Sequence, residues 1–141
     1  MALKGYKVVD ASRILVGSFS SMMLADMGAS VIKVEQPVRG DETRHWGPPF
    51  KNGMATYFMS LNRSKRSICI DLKQRQGVEI MNRLMHESNI FIQNFTPKVI
   101  EKLHLDYESV KLRNPKLIYA SVGGYPHDSH MKDTTAFDLT I

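Results

Sequence analysis

The chain has 141 residues, a net charge of +5 at pH 7, 43% hydrophobic residues and 23% charged residues. These values are ordinary for one globular domain, and apolar runs of a few residues are far shorter than the ~20 that a membrane-spanning helix needs. A single cysteine, Cys69, excludes an internal disulfide framework. The positive charge indicates an anionic partner without identifying it.

The first half of the chain alternates strand and helix patterns. The apolar runs Lys7–Asp10 and Ser30–Glu35 predict two strands. Between them lies a predicted helix with Ser18 as its N-cap and Gly28 as its C-terminal stop. Its apolar residues recur at helical spacing: Phe19, Met22, Met23 and Met27. A long loop rich in proline, glycine and charge follows at residues 36–53.

The second half continues the alternation. Residues 67–71, 89–93 and 117–122 predict three more strands, and residues 98–103 and 107–113 predict short helices. Another helix lies between the third and fourth strands, marked by Val78, Met81, Leu84 and Met85. Strands separated by helices favour right-handed crossovers and a mostly parallel sheet. We therefore predict an α/β fold, a Rossmann-like open sheet with flanking helices.

Ligands of such sheets bind beyond the carboxyl ends of the strands, so the loops there are the informative ones. The first of them, residues 13–18, leads into a helix N-terminus, which can hold an anion. It lacks G-x-G-x-x-G, which makes a standard dinucleotide site a weak interpretation, and it lacks the P-loop pattern. The alternative interpretation is a plain strand-to-helix turn.

A basic cluster follows the long loop. Five cations fall within thirteen residues: Arg63, Lys65, Arg66, Lys73 and Arg75. They can bind phosphates, with Lys65 and Arg66 expected at the end of a parallel strand, or they can form a solvated face beside a strand. The chain has no recognised nucleic-acid motif, and aromatic residues do not interleave with these cations, so we predict no nucleic-acid partner.

Three further features have structural explanations. His127 and His130 have His-x-x-His spacing, but they stand in a stretch typical of an exposed loop, and we predict no metal site. Cys69, between two isoleucines, is predicted to be a buried small hydrophobe, and the methionines are predicted to fill the core. Trp46 can cover a ligand or pack the long loop down.

Eight short stretches stand in one order along essentially the whole chain: residues 3–10, 24–35, 40–44, 46–50, 62–67, 71–73, 93–97 and 114–121. Each is weak evidence alone, but the ordered set resembles the family III coenzyme A transferases, which include the α-methylacyl-CoA racemases. The full-length stretch between the second and third strands resembles the succinyl-CoA:glutarate type and other dicarboxylate transferases. The opening residues and residues 101–103 resemble the racemases, so a racemase fragment or a non-catalytic CoA-binding module stays open.

The resemblance implies coenzyme A or acyl-CoA as a substrate, with no permanently bound cofactor. Two matched positions depart from the family pattern, since Gln36 and Lys102 stand where relatives have arginine. Residues 124–130 also depart from the family's glycine-rich stretch. The matched CoA-binding positions are Arg13, Ile14, Leu15, Val16, Gln36, Ile70, Asp71, Leu72, Lys73, Asn94, Phe95, Lys102, Leu103 and Phe137.

The resemblance also places the family's nucleophilic aspartate after Ile141 and gives Asp138 a supporting role only. Residues 1–141 are therefore expected to be a CoA-binding Rossmann-like fragment of the large domain, inactive by themselves. The implied reaction moves CoA from an acyl-CoA such as succinyl-CoA to a small carboxylic acid, in a homodimer. The expected location is the mitochondrial matrix or the cytoplasm, since no targeting segment is visible.

Overall fold

Strands and helices alternate along residues 1–137, which are the residues that this computed structural model describes. In chain order the elements are β1 Lys7–Asp10, α1 Val16–Asp26, β2 Ser30–Glu35, a 3-10 helix Glu42–His45, β3 Phe50–Lys51, β4 Met54–Ala55, α2 Thr56–Asn62, β5 Lys65–Cys69, α3 Arg75–His86, β6 Ile90–Gln93, α4 Pro97–Lys102, α5 Tyr107–Lys111 and β7 Ile118–Ser121.

Five strands form one sheet in the order β5-β2-β1-β6-β7, and every neighbouring pair is parallel. β3 and β4 form a separate antiparallel hairpin. The predicted α/β fold with a mostly parallel sheet and flanking helices is confirmed. The chain builds outward from β1 to β5 and then returns to the other side of β1 as β6, so the strand order reverses between β1 and β6. Open α/β sheets place their ligands at such a reversal.

Helices cover both faces of the sheet. On one face, Val8, Val31 and Ile92 pack with Ala25 of α1 and with Ala29, which lies between α1 and β2. The larger cluster on the other face contains Met81 and Met85 of α3 together with Val9, Val34, Phe91, Ile100, Leu105 and Val110. Asp10 at the end of β1 and Lys33 in β2 lie on the face that α1 covers, where they bond to Ser21 and Ser18 of that helix.

The first helix begins earlier than predicted. Leu15 is its N-cap and no side chain caps it, whereas Ser18 is buried inside α1. The Ser18 hydroxyl instead accepts a hydrogen bond from the buried Lys33 ammonium, 3.1 Å away. The prediction of Ser18 as N-cap was therefore wrong, because this hydroxyl serves the core and not the helix end. The predicted stop is confirmed, since Gly28 follows the helix with φ +103°.

The third predicted strand was placed two residues too late. Its register is set by β2, which pairs Val31 with Lys65 and Glu35 with Cys69. As an edge strand, β5 has a partner on one side only, and Cys69 at its end is exposed. The prediction of a buried Cys69 was wrong because the flanking isoleucines face the α3 side, while Cys69 points to the opposite face.

The methionines do not all fill the core, contrary to the prediction. Met22, Met81 and Met85 are buried, but Met23 and Met27 lie on the exposed side of α1. The predicted long loop also contains the 3-10 helix and the β3–β4 hairpin, and α2 follows it. Trp46 packs on Tyr57 of α2, with ring centroids 5.7 Å apart, which supports its role in packing the loop. None of the described helices has the length and apolarity to cross a membrane.

Candidate functional site

The loops after β1 and β6 meet at the reversal of strand order, where side-chain hydrogen bonds join them. The Arg13 backbone N–H donates to Asn94 Oδ1 at 2.9 Å, and Asn94 Nδ2 donates to the Arg13 carbonyl at 2.8 Å. One amide side chain therefore satisfies both backbone groups of Arg13. Two of the predicted CoA-binding residues, 81 positions apart in sequence, are held together at the edge where the fold favours a ligand.

The backbone of residues 12–14 is held by side chains throughout. The Ser12 N–H donates to Asp10 Oδ1 at 3.0 Å, and the Ile14 N–H donates to Asp41 Oδ2 at 3.3 Å. Ile14 has φ +67°, in the left-handed region that a β-branched residue rarely adopts. Such a conformation costs about 1–3 kcal/mol and persists only where its surroundings enforce it. The loop is therefore a fixed feature of the site.

The Arg13 guanidinium lies on the open side of this loop. It reaches Glu42 Oε1 at 3.1 Å and lies 5.3 Å from the centre of the Phe95 ring. The Arg13 side chain remains 45% exposed, so a second anion can approach it from solvent. A planar guanidinium suits phosphate oxygens, and an aromatic ring beside it offers a stacking surface.

Beneath the loop lie two buried lysines, Lys33 and Lys65, and each forms an ion pair with a buried aspartate. Lys33 Nζ contacts three acceptors: Asp41 Oδ2 at 2.8 Å, the Ser12 carbonyl at 2.9 Å and Ser18 Oγ at 3.1 Å. Lys65 Nζ likewise contacts Asp10 Oδ2 at 3.0 Å, the Ser18 carbonyl at 2.8 Å and Asn62 Oδ1 at 2.8 Å. An ammonium has three donors, so both lysines are fully satisfied.

A third ion pair joins Glu35 at the end of β2 to Arg44 of the 3-10 helix. Glu35 Oε2 accepts hydrogen bonds from Arg44 Nε at 2.7 Å and from the Asp41 N–H at 2.8 Å, and Glu35 Oε1 accepts from Ser67 Oγ at 2.5 Å. Burial by itself would raise the pKa of Glu35, but hydrogen bonds from Arg44, Ser67 and the Asp41 amide lower it to about 2. Glu35 is therefore an anion that the loop after β2 wraps.

Gly40 is required at the bend of that wrap. Its φ is +68°, and a Cβ atom at this position would lie 2.7 Å from Glu35 Oε2 and 2.8 Å from Arg44 Cδ. A larger residue would push the Glu35–Arg44 pair apart, so the glycine allows this close approach.

The sequence did not predict these buried charges, although it carries one signal of them. Residues alternate faces along a strand, so Lys33 and Glu35 share the face of the buried Val31. Two opposite charges on the buried face of an apolar strand indicate partners elsewhere in the fold. Nothing in the local sequence identified those partners.

The other predicted binding residues spread along the carboxyl edge. Leu15 and Val16 continue the first loop into α1, and Gln36 follows β2, where its Nε2 donates to the Gly40 carbonyl at 3.1 Å. Residues 70–73 follow β5, about two strand spacings or ~10 Å from β1. Within that segment the Ile70 side chain is in the core, while Lys73 is exposed. A ligand reaching both sites would have to be long.

The remaining predicted residues lie farther along the chain. Lys102 ends α4 and is exposed, whereas Leu103 is half-buried against the core on the α3 side. Phe137 is exposed. Asp138, which the resemblance makes a supporting residue, lies outside the described residues.

The predicted placement of the basic cluster at the end of a strand was wrong. β5 begins at Lys65, so the backbone of residues 63–66 lies at the amino edge of the sheet. Lys65 is buried on Asp10, Arg63 pairs with Asp26, and Arg66 Nη2 donates to Ser30 Oγ at 3.0 Å. These cations therefore have partners within the fold, and of the cluster only Lys73 and Arg75 follow the strand.

Two clefts flank the sheet without enclosing a CoA-sized volume. One, of about 210 Å³, lies beside the ends of β6 and β7 and includes Gln93, Tyr119 and His127 in its lining. The other, of about 340 Å³, lies between α3 and Arg113. Through residue 137 there is no group of three or more His, Cys, Asp or Glu side chains that could hold a metal ion.

Known CoA-transferases are similar to this chain over nearly its whole length. The chain is 41% identical over 136 residues to a mouse succinyl-CoA:glutarate CoA-transferase, covering 96% of this chain and 31% of that protein. It is 43% identical to the succinate–glutarate CoA-transferase of Agrobacterium fabrum, covering 99% of this chain and 36% of that protein. The chain thus spans about a third of the length of these relatives.

A solved structure shares the fold. A CAIB/BAIF family protein from Brucella suis superposes with a TM-score of 0.91 at 44% identity, covering 97% of this chain and 37% of that one. The family model for CoA-transferase family III matches residues 3–141, nearly the whole chain. The match includes the loops at the carboxyl edge, where Arg13 and Asn94 are joined. The chain belongs to CoA-transferase family III.

Proposed function

We propose that residues 1–141 form the CoA-binding Rossmann-like part of the large domain of a CoA-transferase. The proposed enzyme moves CoA from an acyl-CoA such as succinyl-CoA to a small carboxylic acid. The two relatives described above are both CoA-transferases by name, which favours a transferase over a racemase. The observation that carries the proposal is the pair of hydrogen bonds between Arg13 and Asn94. They hold Arg13 at the carboxyl edge of the sheet, where its guanidinium is half-exposed.

Arg13 and Phe95 are the proposed contacts for the anionic and ring portions of CoA. A phosphate at Arg13 would gain a charge-assisted hydrogen bond, and Phe95 would offer a ring face nearby. Lys73 would supply a second cation about two strands away. In the same proposal CoA is a substrate and not a resident cofactor, nucleic acid is not a partner, and the longer protein works as a homodimer in the mitochondrial matrix or cytoplasm.

Arg13→Ala tests the proposed contact. We expect the unmodified chain to bind CoA weakly, because the carboxyl edge is open, and we expect the variant to bind about tenfold more weakly, since a hydrogen bond to a charged group contributes about 1.5–3 kcal/mol. Calorimetry with CoA and dephospho-CoA measures both affinities and separates the 3′-phosphate. Lys116→Ala is the matched control, because it removes an exposed cation just before β7, at the amino edge. No heat from the folded chain at millimolar CoA would contradict the proposal.

The same proposal predicts that the 141-residue polypeptide alone does not transfer CoA. The resemblance assigns the covalent step to an aspartate later than residue 141, and a nucleophile must be held within reach of the thioester. The measurement mixes the polypeptide with succinyl-CoA and glutarate and follows glutaryl-CoA by mass spectrometry. Turnover above buffer that Asp138→Ala abolishes would show that the nucleophile has been misplaced.

A further inference from the structure

The residues on either side of Arg13 each form a backbone hydrogen bond with one buried ion pair. On its N-terminal side the Ser12 carbonyl accepts from Lys33 Nζ at 2.9 Å, and on its C-terminal side the Ile14 N–H donates to Asp41 Oδ2 at 3.3 Å. Lys33 Nζ and Asp41 Oδ2 are themselves 2.8 Å apart. The pair therefore spans the loop directly beneath Arg13.

We propose that Lys33 and Asp41 are positioning residues, a buried ion pair that holds residues 12–14 so that Arg13 is presented to an anionic ligand. The identity of that ligand rests on the proposed function. Neither side chain touches the ligand in this proposal, since they are only 2% and 1% exposed. They act through the backbone of the loop.

The pair is anchored firmly enough to impose a conformation. Asp41 Oδ1 accepts from the Thr43 N–H at 2.9 Å and from Thr43 Oγ1 at 2.7 Å, which fixes the carboxylate as the N-cap of the 3-10 helix. Lys33 lies within β2, in the middle of the sheet. Moving the loop would therefore require breaking bonds to two other elements, and this explains how Ile14 is kept at φ +67°.

Electrostatics support a conformational role. In a water-excluded site an ion pair and its hydrogen bonds are stronger than at the surface, and an unpaired member is very unfavourable. Each alternative loop conformation that withdraws the Ser12 carbonyl or the Ile14 N–H leaves a charged group short of a partner. A buried pair that served stability alone would be replaceable by apolar side chains without effect on the loop.

The double variant Lys33→Met/Asp41→Leu separates these two roles, because it removes both charges together and keeps apolar volume in the core. Backbone amide exchange of residues 12–14 is measured by NMR, beside CoA affinity by calorimetry. We expect exchange at Ile14 to accelerate at least tenfold while core amides stay protected, and CoA to bind about tenfold more weakly. The control is Lys7→Met/Glu87→Leu, which removes an exposed ion pair between the start of β1 and the end of α3, at the amino edge of the sheet.

Unchanged exchange at residues 12–14 in a folded double variant would overturn the proposal. If that variant does not fold, Lys33→Met/Asp41→Asn gives the same test, because it also removes both charges and a single amide oxygen cannot serve both Thr43 and Ile14. The exchange measurement needs no ligand, so it stands even where the unmodified chain fails to bind CoA. That failure would refute the proposed function and leave the positioning role to be decided by exchange alone.

Discussion

Lys65→Met is expected to cost the fold about 3–5 kcal/mol, because it leaves a buried carboxylate without its cation. Asp10 is fully buried and the Lys65 side chain is 2% exposed, with Nζ and Oδ2 3.0 Å apart. Burial lowers the pKa of Lys65 despite the attraction of Asp10, because desolvation disfavours the charged ammonium. Urea unfolding at pH 7 measures the loss, which is a large share of the 5–15 kcal/mol typical of a domain.

Arg63→Met is the matched control for this loss. Arg63 is two residues earlier and also pairs with an aspartate, but its side chain is 56% exposed, so its removal should cost less than about 1 kcal/mol. The double variant Asp10→Asn/Lys65→Met should lose less free energy of unfolding than the two single variants lose in sum. Each single change leaves one buried group without its partner, and the double change removes both groups. A Lys65→Met loss no larger than that of Arg63→Met would contradict the assigned role.

Stability is expected to fall as the pH drops from about 4.5 to about 2, and Glu35 is expected to cause much of that fall. The pKa of Glu35 is lowered from 4.5 to about 2, because Arg44, Ser67 and the Asp41 amide more than offset its burial. A carboxylate with a lowered folded-state pKa stabilises the fold fully above its unfolded pKa and loses that contribution on protonation. At 1.36 kcal/mol per pH unit this displacement corresponds to about 3 kcal/mol.

Glu35→Gln tests this pH dependence, because it replaces the ionisable carboxyl group with a neutral amide on a side chain of the same length. The variant should be less stable at pH 7 and should lose less stability than the unmodified chain between pH 4.5 and pH 2.5. Asp41, whose pKa is also lowered by Lys33 and Thr43 against its burial, keeps part of the acid dependence in both proteins. Glu79→Gln, at an exposed carboxylate on α3, should leave the profile unchanged. An identical acid limb in Glu35→Gln would show that other carboxylates dominate.

The elements that sequence predicted well are those whose signal is local. Lys7–Asp10 and Ser30–Glu35 match β1 and β2 to the residue, because each is a short run that pairs on both sides in the middle of the sheet. The position of β5 was missed by two residues, because an edge strand takes its register from its single neighbour. α2 and the hairpin were missed inside a loop whose packing depends on Trp46 and Tyr57.

The sequence by itself determined the α/β fold class and the family, since hydrophobic periodicity and the order of motifs are properties of the chain alone. Only the tertiary structure decided which charges are internal. Asp10 contacts Lys65, 55 residues later in the chain, and Glu35 contacts Ser67, 32 residues later. Sequence cannot predict such pairs because a charged side chain is tolerated in a core only where folding places a partner within hydrogen-bonding distance. Lys65 therefore reads as a surface cation in the sequence, while in the fold it is held beneath α1 by three acceptors.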